Sequence, residues 1–164
     1  MSGSDVKAVF LTADTNAADN ASISANERPD TDFTIGGTDA SGGVATFAAG
    51  RIVTATTAGT GDNGKTVTIT GTDVNGDAQT ETITLPGSAT TTSGTKFFKT
   101  VTAASASAQP AANVSLGHAA DAADVVFAGR SRLQGLNIVC SATAGTLDFR
   151  TTSATGSSIF KVGT

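Results

Sequence analysis

From Val44 onward the chain is a succession of short β-branched segments, each closed by Gly, Asn, Asp or Ser. No other feature limits the fold so strongly. The segments fall at residues 44–47, 51–57, 65–73, 77–85, 97–104, 113–116, 124–127, 133–141, 146–151 and 157–162. Many short strands separated by turn signals predict an all-β domain, an antiparallel β-sandwich or a jelly-roll-like barrel. One stretch, residues 119–123, has a helical composition, and a single turn of helix is marginal by itself. Residues 6–11 read as a first strand. The Ala-, Asn-, Asp- and Thr-rich stretch 12–43 reads as an extended arm with a small strand at 33–35, anchored by Phe33 and Ile35. The expected organisation is an N-terminal strand and loose arm over 1–43, then a sandwich or barrel domain over 44–164.

Such a domain has little to bury. Val, Ile, Leu and Phe make up 33 of 164 residues, without a Trp or a Tyr, which lies at the edge of what folds alone. Part of the stability is therefore expected from neighbours in an assembly. Ten basic against 14 acidic residues give a net charge of −4, which argues against nucleic acid as a partner. The nearest approach to a basic cluster, Arg130 with Arg132, reads as an ordinary solvated strand end. The single cysteine, Cys140, lies in the apolar run Leu136-Asn137-Ile138-Val139-Cys140 and reads as a small buried hydrophobe. The opening MSGSDVKAVF has no apolar signal region, and no run of 18 apolar residues suggests a membrane span. Asn20 and Asn113 match the glycosylation acceptor pattern, but without a secretion signal both matches read as chance.

The stretch KTVTITGTDVNGDAQTETITLPG, residues 65–87, can be read in register. A two-residue turn at Asn75-Gly76 would put the apolar residues of its two strands on opposite faces. A three-residue loop, Val74-Asn75-Gly76, removes the conflict. Asp73 then pairs with Asp77, Val67 faces Ile83, Ile69 faces Glu81 and Lys65 faces Leu85. A slip of one residue reverses every side chain, so parity decides for the longer loop. The reverse face carries Thr66, Thr68 and Thr70 against Thr80, Thr82 and Thr84, and is expected to meet solvent. Pro86 ends the second strand because it lacks an N–H.

Residues 59–66, GTGDNGKT, match the letters of the phosphate-binding loop G-x-x-x-x-G-K-T. That loop works because its N–H groups curl round phosphates at the start of a helix. Here the β-branched alternation TVTITGTD follows Lys65, and Asp62 would sit inside the anion cradle. The segment therefore reads as a Gly-rich turn joining two antiparallel strands. Asp73-Val74-Asn75-Gly76-Asp77 begins like a calcium loop but has Ala78 and Thr84 where Gly and a bidentate Glu are needed. His118 is the only histidine, and Ser115, His118 and Asp121 on one short loop do not make a triad. One His and one Cys cannot form a zinc set, and Glu27 and Glu81, the only glutamates, suggest no catalytic pair. The chain is read as a non-enzyme with no catalytic, cofactor-binding or metal-binding residues and no cofactor.

A resemblance enters at this point. Residues 47–117 carry the hairpin G-x-D-x-N-G-x-x-x-T-E-x-I (Gly71 to Ile83), a Thr/Ser/Gly spacer, the run F-F-K-T-V-T (Phe97 to Thr102) and a closing V-S-L-G. Together they resemble structural proteins of tailed bacteriophages, marine and cyanobacterial phages among them. The later segment RSRLQGLNIVCSATAGTLDFRTTSATGSSIFKVG is similar to the paired strands that follow in such proteins. The resemblance implies a virion component assembled in the host cytoplasm. Foremost is a head decoration (cement) protein that binds the major capsid protein and stabilises the head. Otherwise it is a tail, neck or fibre part among neighbouring virion proteins. It also implies a homo-oligomer, trimeric or lattice-bound, while the charge balance and the lack of a long apolar run argue against nucleic-acid and membrane partners. A host- or carbohydrate-binding adhesin module is the alternative, although sugar sites usually stack on aromatic faces that this chain lacks.

Overall fold

The computed structural model describes residues 17–125, 146–151 and 156–163. The regular elements among them are all strands: β1 (Asp19–Glu27), β2 (Ala40–Ser41), β3 (Val44–Thr57), β4 (Thr66–Thr72), β5 (Ala78–Thr84), β6 (Thr91–Ala106), β7 (Val114–Ala123), β8 (Thr146–Arg150) and β9 (Ser158–Gly163). Seven form one antiparallel sheet in the order β1-β7-β3-β6-β4-β5, with β2 paired to β3. The pair β8-β9 forms a second, smaller sheet. The all-β antiparallel expectation holds.

The large sheet wraps round a single core, because β6 serves two sets of neighbours. Residues 91–101 pair with β3 (Thr56↔Thr91, Ala45↔Val101), and residues 100–106 pair on the other side with β4 (Thr72↔Thr100, Val67↔Ala106). Register shifts in both ladders mark bulges, which bend a strand. The bend is measurable through Glu81. On β5 it lies opposite Ile69, which lies opposite Ala104, yet its carboxylate accepts the Thr95 N–H at 2.6 Å. A straight strand would put residues 95 and 104 about 30 Å apart. Gly71 sits at the β4–β6 bulge, where an added Cβ would overlap the Thr100 carbonyl oxygen. The result is sandwich-like. Ile23, Val53, Ala55, Val114 and Leu116 from one side meet Val67, Ile69, Ile83, Leu85 and Ala104 from the other.

Local expectations fare unevenly. The β4–β5 hairpin has the expected register, with Val67↔Ile83, Ile69↔Glu81 and Asp73 paired to Asp77 across a turn in which Gly76 takes φ 89°. Its threonine face is exposed or half-buried. Within the stretch expected as a loose arm, Asp19–Glu27 and Ala40–Ser41 are strands of the sheet. β1 pairs with β7, and Ile23 is fully buried. Phe33 and Ile35 are buried as expected, but instead of a strand there is an isolated bridge, Asp32↔Ser105, with the Phe33 N–H donating to the Ala104 carbonyl. The expected helix at 119–123 is the end of β7, held by Arg51↔Ala122 and Gly50↔Ala123. The expected strand at 124–127 does not include Asp124 or Val125, which follow β7 without regular structure. The strands expected at 44–47 and 51–57 are one strand, β3. The strands expected at 6–11 and 133–141, Cys140, Arg130 and Arg132 lie outside the described residues.

Candidate functional site

The GTGDNGKT loop leaves β3 and enters β4, so a strand stands where the phosphate motif needs a helix. It is not a hairpin, however. β6 lies between β3 and β4, and the loop is a crossover from one part of the sheet to another. Its geometry is set by Asp62, whose side chain is fully buried. One carboxylate oxygen accepts the Ala111 N–H and the Lys65 ammonium (3.1 Å), and the other accepts the Ala112 N–H at 3.3 Å. Lys65 also donates to the Gln109 carbonyl at 2.8 Å. The chain thus supplies its own anion, Asp62, to the lysine that a phosphate would need. Burial alone would raise the Asp62 carboxyl. The Ala111, Lys65 and Ala112 donors outweigh it and hold the group below the usual carboxylate range.

The calcium-like turn is likewise occupied from within. Asp73 Oδ1 accepts the N–H groups of Asn75 (2.8 Å) and Asp77 (3.0 Å), and Oδ2 accepts the Asn75 amide. Burial raises this carboxyl, and the turn donors, Asn75 first, more than reverse the effect. Among the described residues no group of three His, Cys, Asp or Glu is placed to hold a metal ion.

His118 is buried on β7, opposite Val53 and Asp19. The regular ladder Val53↔His118 to Thr57↔Val114 puts Ser115 on the other face of the strand, and Asp121 is exposed further on. The three residues read together in sequence are therefore not brought together. His118 instead meets Asp39, Nε2 to Oδ2 at 3.4 Å, and stands edge-on to the Phe47 ring with centroids 5.6 Å apart. Asp39 lies 79 residues away in the chain, and its composition-poor surroundings carried no signal for this contact. Glu27 and Glu81 also serve structure. Glu27 accepts from the Thr34 N–H and the Ser24 hydroxyl, and Glu81 from the N–H groups of Thr95 and Lys96.

The surface is distinctive at one element. Leu147, Ile159 and Phe160 are 41%, 68% and 48% exposed, and they are the exposed large apolar side chains among the described residues. All three belong to the β8–β9 hairpin. Leu147 pairs with Val162 and Phe149 with Phe160, which gathers four apolar side chains on one face, the two phenylalanine rings 6.2 Å apart. The other face carries Asp148, Arg150 and Lys161, with an Asp148–Arg150 ion pair at 2.9 Å, and Ile159 stands at the register shift beside Phe160, off the apolar face. Comparison with protein-family models, with curated proteins and with solved structures finds no match to this chain.

Proposed function

We propose that the chain is a non-enzymatic structural component of a tailed-phage virion, foremost a decoration protein that binds the major capsid protein and stabilises the head. The observation that carries the assembly part of this reading is the apolar face of the β8–β9 hairpin. An exposed hydrophobic surface concentrated on one element is how proteins mark a contact site, and a two-stranded hairpin is marginal without something packed on it. The thin core supports the same reading, as does the use of Asp62, Lys65, Asp73 and Glu81 for internal bonds rather than for a ligand. The virion part rests on the resemblance of residues 47–117 and 130–163 to phage structural proteins.

The test is copy number. Quantitative mass spectrometry of purified particles carrying the chain is expected to find it on the order of hundreds of times per head. It should also rebind saturably to heads stripped of it. A dozen or fewer copies would move it to the tail or neck. Absence from particles, with micromolar binding on a glycan array, would replace the reading with that of an adhesin module.

A further inference from the structure

The outer edge of β1 is covered by its own chain. After Ile35 the backbone turns back, and the N–H groups of Gly36 and Gly37 donate to the Ile23 carbonyl at 3.0 and 2.9 Å, while the Asp39 N–H donates to that of Ser22 at 2.9 Å. The approach is close, since an added Cβ at Gly37 would overlap the Ser22 backbone. No large apolar side chain lies between residues 36 and 39 to hold this strap down. From the sheet it is met by the Thr46 N–H, which donates to the Asp39 carbonyl at 3.1 Å, by Asp19, which accepts from the Thr38 hydroxyl at 3.4 Å, and by the His118 ring.

The hydrogen count at that imidazole is informative. Nδ1 lies 2.9 Å from the Ala119 carbonyl oxygen, which can only accept, so Nδ1 carries hydrogen. Nε2 faces Asp39 Oδ2 at 3.4 Å, and that carboxylate oxygen is buried without a hydrogen-bond partner. A ring with hydrogen on both nitrogens satisfies both acceptors. A neutral ring turns a lone pair toward the carboxylate and leaves a buried charged oxygen uncompensated, which is costly. The other charged groups nearby have partners of their own. Asp19 of β1, across the ladder from His118, accepts from the Ala21 N–H and the Thr38 hydroxyl. Arg51 of β3 donates to the Ala120 carbonyl at 2.7 Å, and Asp121 of β7 is exposed. Phe47 of β3 contributes an uncharged ring.

We propose that His118 and Asp39 form a proton-dependent clasp that holds residues 36–39 over the edge of β1 and frees that edge when the imidazole loses its second proton. A freed edge is a row of unpaired N–H and C=O groups, able to accept a strand from another chain. Residues 40–41 are paired to β3 and the Asp39 carbonyl accepts the Thr46 N–H, so the proposed movement ends at Asp39.

Amide hydrogen exchange of the full chain, corrected for intrinsic rates, tests this at about pH 5.5 and about pH 8.5. Protection at Gly36, Gly37 and Asp39 is expected to fall about tenfold or more at the higher pH, with β4–β5 amides unchanged. In Asp39→Asn, which alters a partly exposed side chain and leaves the core intact, the step should vanish. Equal protection at both pH values in the wild type would overturn the clasp. So would a step that survives in Asp39→Asn, or one spread evenly over the whole sheet.

Discussion

Asp62 has the environment of a ligand-binding carboxylate and the partners of a structural one. Replacing it with Ala would leave the Ala111 and Ala112 N–H groups and the Lys65 ammonium facing a hole. Lys65 is one-quarter exposed and Ala111 lies at the surface, so water can relieve part of that loss. The expected cost is about 2–4 kcal/mol, read as a lower urea midpoint at unchanged slope. The pH dependence follows from the direction of the shift. A carboxyl held low in the folded state adds stability above its unfolded pKa of about 4, and loses it as pH falls through the lower folded value. Wild type should therefore lose more stability than Asp62→Ala between about pH 5 and pH 2. Titration calorimetry with ATP should give no binding heat. Heat that disappears in Lys65→Ala would mean that the loop can exchange Asp62 for a phosphate after all.

At the scale of elements, Glu81 does the work of a missing strand. The first half of β6 pairs with β3 on one side only. On the other side Glu81 accepts the Thr95 and Lys96 N–H groups, Gln79 donates to the Phe97 carbonyl, and Lys96 donates to the Thr80 carbonyl. Glu81→Ala should cost about 1–2 kcal/mol, reduced from a fully buried case because these groups are partly wet. Faster amide exchange confined to Thr95 and Lys96 should accompany it, and unchanged exchange there would show that water replaces the carboxylate without loss. This arrangement explains what could be read from the sequence. The β4–β5 hairpin was legible because its partners lie within 23 residues and strand parity admits one loop length. The neighbours of GTGDNGKT were not, since nothing local says that β6 will come between β3 and β4. Residues 119–123 misled for a related reason. An alanine-rich stretch prefers helix only slightly, and hydrogen bonds from β3, some seventy residues earlier, decide its conformation. The Asp39–His118 contact has the same character, two unremarkable residues joined by topology alone.

For the whole molecule the question is where a chain with so little to bury finds its stability. In the large sheet the outer edge of β1 is covered by residues 36–39, and the side of the first half of β6 that faces away from β3 by Gln79 and Glu81. The hairpin differs, because β8 and β9 pair only with each other among the described residues. If its apolar face is the contact, Leu147→Ser with Phe160→Ser should weaken self-association without lowering the melting temperature of dilute protein. Complete burial of such side chains is worth about 1.5–3 kcal/mol each. Both are already about half covered, so the pair should lose about 2–3 kcal/mol, a factor of about 30–150 in Kd. Sedimentation equilibrium reads that factor directly. A melting temperature that rises with wild-type concentration, and stops doing so in the double variant, would tie association to stability by mass action. A wild-type chain that stays monomeric at all concentrations, with a constant melting temperature, would instead mean that the hairpin awaits a different partner and that this modest core suffices alone.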